Sequence, residues 1–243
     1  MDRTTDDAMS DLSLHLDAAA PRDWLPSAEF LKALDVAANV MPGQRHLPWP
    51  MPGNIGGILQ FEAFADWRVF FLAFTLHPGV PDIVRAKYGR ALKLHLLGWL
   101  DFDLIKAGEM VALTTLELAL KDAYGGIIRA RKVEALVAKG KKVPDTLSIR
   151  LYLPELLECL VKTDHLTDND LPINQRTGGT VLNRLKGLSE PSIGEIRNIA
   201  MHGDPFDGFS QSGLLELVRD LIQFAYRKRI SEYDVLYGTH GGS

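Results

Sequence analysis

The stretch DIVRAKYGRALKLHLLGWLDFDLIKAGEMVALTTLELALKDAY, residues 82–124, decides the fold. Ile83, Val84, Tyr88, Ala91, Leu92, His95, Leu96 and Trp99 recur at steps of three and four, the rhythm of one helix face. After Asp101-Phe102-Asp103 a second run sets Leu104, Val111, Leu113, Leu116, Leu118, Leu120 and Ala123 at helical spacing, and Gly125-Gly126 reads as its stop. Two long helices with so short a joint should fold back on one another as an antiparallel hairpin. This places the chain in the all-α class.

Upstream, Pro81 suits the first turn of the first hairpin helix. Leu59 to Leu76 is strongly apolar and predicts a helix closed by Pro78-Gly79. Pro48, Pro50 and Pro52 alternate with Trp49 and Met51, so an extended segment is expected there, with those two side chains packing on the main body. Phe30, Leu31, Leu34, Ala37 and Ala38 predict a helix over 27–41. Residues 1–26 are acidic and proline-punctuated, and read as a loosely held arm.

Downstream, 127–150 is basic: Arg129, Arg131, Lys132, Lys139, Lys141, Lys142 and Arg150 stand against Glu134 and Asp145. A short helix, a loop over 140–144, a helix over 153–161, a loop over 163–179 and a short helix over 180–188 are expected. Ser192-Ile193-Gly194-Glu195 fits a capping box, in which the serine accepts from an amide and the glutamate reaches back to another. Gly203-Asp204-Pro205 should end the helix it opens. A final helix over 212–229 has Leu214, Leu215, Leu217, Val218, Leu221, Ile222 and Ala225 as its inner face, and no convincing alternating strand pattern is present.

The chain has 243 residues, 46% hydrophobic and 24% charged, with net charge −4, enough apolar content for a sizeable core. The acidic balance argues against a surface coated for nucleic acid, but leaves room for a local basic patch. The single cysteine, Cys159, lies in an apolar run and reads as a small buried hydrophobe. With no disulfide framework, no basic-then-apolar leader and no run long enough to span a bilayer, a cytoplasmic protein without membrane contact is expected.

The residues with chemistry are Arg197-Asn198-Ile199-Ala200-Met201-His202. This stretch resembles the RNxxxH signature of the HEPN family of helical ribonuclease and nucleotide-binding domains, in which an arginine, an adjacent polar residue and a histidine share one bundle helix. Arg90-Ala-Leu-Lys-Leu-His95 has the same Arg-to-His spacing, so Asn198 and the flanking helix signals carry the resemblance. The resemblance covers about residues 80–230. It implies a HEPN-like helical bundle over 81–230, with 1–80 as an N-terminal extension packing on it and 231–243 as a flexible tail.

The resemblance also implies metal-independent RNA cleavage by 2'-hydroxyl attack, of the toxin or defence type, without a cofactor. Histidine titrates near neutrality and can move the proton. Arginine offers a fork of donors to phosphate oxygens. Catalytic residues are therefore expected at Arg197, Asn198 and His202, RNA contacts at Lys139, Lys141 and Lys142, and metal ligands nowhere. Arg197 and His202 are about 140° apart around a straight helix, so one helix places them imperfectly on one phosphate. The family resolves this by dimerising, which implies a homodimer, with an antitoxin or other protein as a further partner. Two alternatives stay open. Arg197 could serve only an ion pair with Glu195 or Asp204 in a catalytically inactive dimerisation or adaptor module whose first 80 residues dock a partner. The bundle could also bind nucleotides. Glu109 and Glu117, eight apart on the second hairpin helix, could face the motif or be exposed helix charges.

Overall fold

The computed structural model describes residues 25–41, 43–54, 56–141, 151–187, 192–196 and 212–237. Helix α1, Ala28–Val40, is opened by Ser27, whose hydroxyl accepts from the Phe30 amide. A two-stranded antiparallel sheet follows, β1 Arg45–Pro48 against β2 Ile58–Phe61, with Arg45 opposite Phe61. Then come α2 Phe64–Leu72, α3 Asp82–Leu97 and α4 Asp103–Ala138. After them lie α5 Leu153–Lys162, a 3-10 turn at Asp168–Asp170, α6 Pro172–Thr177 and α7 Leu182–Leu185. Helices α8 Leu214–Ala225 and α9 Arg227–Tyr237 close the described chain. The protein is mostly helical, in keeping with the all-α expectation, and carries one small two-stranded sheet that no alternating pattern announced.

Helices α3 and α4 form the predicted hairpin. Lys87 Nζ donates to the Thr114 carbonyl at 3.2 Å, Gly108 lies against the His95 ring, and Gly98 lies against Ile105. Rising numbers on one helix meet falling numbers on the other, so the pair is antiparallel. A Cβ on Gly108 would stand 2.4 Å from His95 Nδ1, so this glycine sets how closely the helices approach. Trp67 adds a lock, its indole N–H donating to the His95 carbonyl at 3.0 Å.

The expected stop at Gly125-Gly126 is overturned. Helix α4 runs through both glycines for 36 residues and ends at Lys139–Gly140, where Gly140 takes a φ of 66°. Each glycine costs about 1 kcal/mol against alanine in a helix. Tyr124 and Ile128 are buried on either side, and Gly125 lets Leu151 approach to 3.1 Å of where a Cβ would be. Burial outweighs propensity here.

The expected helix over 59–76 is also corrected. Its first residues form β2, pairing with β1, and the helix begins only at Phe64. A short apolar run suits a strand or a helix equally by periodicity; the available partner strand decides. Trp49 and Met51 follow the expectation in part: Trp49 is buried, stacked on Phe74 and edge-on to Phe70 and Phe71, while Met51 is only half-buried. The predicted last helix is two helices, and residues 231–237, expected in the tail, are the second half of α9. One continuous core runs from Leu34 through Trp67, Leu92, Leu116 and Leu156 to Tyr226, so residues from Leu34 onward share it across the boundary expected at 80.

Gly108→Ala tests the hairpin contact. The alanine gains about 1 kcal/mol of helix propensity. The His95 ring is boxed in by Phe71 and cannot retreat, so overpacking of about 1–3 kcal/mol dominates. Urea unfolding should show a net loss; a stabilised variant would contradict this packing.

Candidate functional site

The helical turn over 193–196 leads into the RNxxxH stretch. Its capping box is formed: the Glu195 amide donates to Ser192 Oγ at 3.2 Å, and the Ser192 amide donates to Glu195 Oε2 at 2.7 Å. That amide holds the Glu195 carboxyl below its usual range. Ile193 and Ile196 are buried and fasten the turn to the body. Arg197, Asn198 and His202, expected to be catalytic, and Lys142, expected to contact RNA, lie outside the described residues.

Beside this turn is a groove of about 480 Å³. Helix α5 supplies Pro154, Leu157, Glu158 and Val161, α7 supplies Leu185, and Ser192 and Gly194 form the far wall. Lys162 and Lys186 stand at its rim; Lys162 pairs with Glu158 one turn away. The floor is apolar and the edges are charged, which suits a flat ring with a polar substituent.

Lys139 and Lys141 are exposed where α4 ends. The structure does not bring them into this groove. The decoy at Arg90–His95 is excluded by burial. His95 is 1% exposed, its Nδ1 is 2.8 Å from the Ala91 carbonyl, and burial pulls its pKa down to about 4. A ring that stays neutral inside the core has no access to a substrate. Glu109 is buried, with Lys106 Nζ 3.6 Å away, and Glu117 pairs with Lys121 at 2.7 Å; neither is a freely exposed helix charge.

Two polar networks have no counterpart in the sequence reading. Glu216, 3% exposed, accepts from Trp49 Nε1 at 3.0 Å and from Arg176 at 2.5 Å. One turn on, Asp220 accepts from the Ile173 amide at 2.8 Å and pairs with Arg219 at 2.6 Å; burial raises its pKa, with Arg219 opposing. No local signal marks them: Glu216, Arg219, Asp220 and Gln223 recur at helical spacing on one side of α8, the pattern of a solvated polar face, and only the elements packed over that side bury the acids. The second network joins Tyr124, Asp164 and Arg227. Asp164 accepts from the Tyr124 hydroxyl at 2.6 Å and from Arg227 at 2.7 Å; Arg227 pulls the carboxyl pKa down, while burial first and Asp164 second raise the tyrosine.

His77 is the other histidine with a defined setting. The Gly79 amide donates to Nδ1 at 3.1 Å, which leaves the proton on Nε2, 3.1 Å from Asp234. Both nitrogens are occupied, so the ring pins α9 to the loop and is not a free base. Among the described residues, no cluster of histidine, cysteine, aspartate and glutamate is disposed to hold a metal, and no helix is long and apolar enough to cross a membrane. Comparison with known protein families, with curated proteins and with solved structures finds no match to this chain.

His95 generates a pH prediction. Its folded pKa is about 4, below the unfolded 6.5, so the unfolded chain takes up the proton first. Stability is therefore whole above the unfolded value and is lost as pH falls from there towards the folded one. The total is on the order of 3 kcal/mol. Denaturant titrations near neutrality and near pH 5 should show about 2 kcal/mol more loss in wild type than in His95→Gln. Equal losses would mean that His95 is not buried neutral.

Proposed function

We propose that the protein is a metal-independent endoribonuclease of HEPN type, acting as a homodimer. The observation that carries this reading is the Arg197-Asn198-Ile199-Ala200-Met201-His202 stretch entered from the capped turn at Ser192–Glu195. The groove beside that turn supports it, being large enough for a nucleotide.

In this mechanism the 2'-hydroxyl attacks the adjacent phosphorus, and the P–O5' bond breaks. The products are a 2',3'-cyclic phosphate and a 5'-hydroxyl. His202 of one copy takes the 2'-proton, and His202 of the second copy supplies one to the departing 5'-oxygen. Arg197 offers its donor fork to the non-bridging oxygens, where negative charge grows in the transition state. Asn198 orients the phosphate or the imidazole.

A second reading, a docking module with an antitoxin or other protein partner, is favoured by one observation. Val36, Val40, Ile58 and Val69 are all more than 60% exposed on the N-terminal elements. The apolar stretch 47–74 otherwise spends Trp49, Phe61, Trp67 and Phe71 on the protein's own core.

Purified protein incubated with mixed RNAs in EDTA should cut them and leave cyclic phosphate ends. His202→Ala and Arg197→Ala should each slow cutting by about 10²-fold or more. Identical absence of cutting by wild type and His202→Ala across varied RNAs and pH would sink the proposal. Ser192→Ala should cost about 1 kcal/mol through the lost cap and reduce cutting without abolishing it; unchanged melting would show that the cap is dispensable.

A further inference from the structure

Ile128 is the last buried residue of α4, and the remaining turns of the helix form an exposed end. From 129 to 141 this end carries Arg129, Arg131, Lys132, Lys139 and Lys141 against the single acid Glu134, in a chain whose net charge is −4. At about 100° per residue Arg129, Arg131, Lys132 and the capping residue Lys139 fall within an arc of about 160°, with Glu134 outside it, and Arg129 to Lys139 spans about 15 Å. Lys132 is tied to Glu155 at 2.8 Å. Among the described residues Arg131 donates to neutral partners, Thr163 Oγ1 at 3.2 Å and Cys159 Sγ at 3.7 Å. Among the described residues no carboxylate pairs with Arg129, Lys139 or Lys141.

An exposed aromatic residue lies near the root of this end, linked to Lys132 through Glu155. Tyr152, just before α5, is 54% exposed. Its amide points to Glu155 Oε2 at 3.5 Å, the oxygen that also holds Lys132. Glu155 in turn lines the groove beside the capped turn. Glu155 thus links the groove, Tyr152 and, through Lys132, the root of the cationic end.

We propose that the exposed end of α4, together with Tyr152, is a path for single-stranded RNA leaving the groove. Arg129, Arg131, Lys139 and Lys141 hold phosphates, and Tyr152 stacks on a base. The inference rests on the ribonuclease reading for its direction, and names the substrate's route past that site. Cations that no described carboxylate pairs, with an exposed aromatic near their root, match what a flexible polyanion with π-faces requires. An anionic membrane would require an apolar face beside the cations. Here the large apolar side chains exposed on this part of α4 are only Ile127 at 39% and Val137 at 60%, which are not enough to insert.

The test uses the full chain carrying His202→Ala, so that RNA survives, and a short fluorescent single-stranded RNA read by anisotropy. The triple variant Arg129→Gln, Lys139→Gln, Lys141→Gln should bind about tenfold or more weakly, and the slope of log affinity against log salt should fall by about 2, near 0.7 per lost contact. Tyr152→Ala should weaken binding about fivefold or more, and Tyr152→Phe should restore it. Glu134→Gln, removing the one acid, should tighten binding. Unchanged affinity and slope in the triple variant would overturn the proposal, as would preference for phosphatidylserine vesicles over RNA at equal phosphate. Loss of binding in the triple variant, with wild type cutting no RNA, keeps the path and removes the ribonuclease. Cutting that depends on His202, with binding indifferent to the triple variant, removes the path alone.

Discussion

Helix α4 presents buried residues from Ile105 to Ile128, and three other helices compete for that surface. Helix α3 takes the first half, through the close contact at Gly108 and His95. Helix α8 crosses the middle, and Tyr226, just after it, donates to the Ala119 carbonyl at 3.2 Å and to Asp122 at 2.6 Å. Helix α5 takes the second half, with Lys132 on Glu155 and Arg131 on Thr163. Cutting α4 at its two glycines would separate these contacts into two bodies. The unbroken backbone ladder makes them one, and the burial of Tyr124 and Ile128 is what keeps that ladder intact across a pair of poor helix formers.

The buried acids of α8 impose a second constraint. A carboxylate taken out of water costs several kcal/mol unless it finds donors. Glu216 finds an indole and a guanidinium, and Asp220 finds an amide and a guanidinium. The indole is Trp49, from the connection after β1, and Arg176 from α6 also donates to the Pro50 carbonyl at 3.0 Å. The N-terminal sheet is therefore fastened to the bundle by polar demand as well as by its aromatic cluster. Elements distant in the chain are tied together because one helix carries charges it cannot satisfy alone.

These constraints also explain the placement of the groove. Helix α5 is held against α4 on one side, which leaves its other edge, with Glu158 and Val161, facing α7 and the capped turn. The same arrangement brings Tyr152 and the exposed end of α4 close to the groove's rim. Charge follows the same division: Glu216 and Asp220 are paired within the fold, while Arg129, Lys139 and Lys141, which no described carboxylate pairs, collect where α4 outruns its neighbours.

The sequence by itself determined the helical class, the hairpin at 82–124 and the Ser192–Glu195 capping box. Each depends on neighbours three or four residues apart, so local spacing contains the whole physical cause. It also carried the Arg197-Asn198-His202 resemblance, which stands as a sequence property. The tertiary structure alone decided that α4 continues through Gly125-Gly126, that Ile58–Phe61 is a strand, that His95 is a core residue, and that Glu216 and Asp220 are buried with partners. It also brought the Tyr152 amide and Lys132 to the same Glu155 carboxylate. In each of these cases the deciding partner is distant in the chain: Leu151 and the core around Tyr124, strand β1, Phe71 and Gly108, Trp49 and Arg176, and Glu155. Periodicity reports which face of an element is apolar. It does not report what covers that face, and the covering element sets whether a propensity, a charge or a histidine prevails.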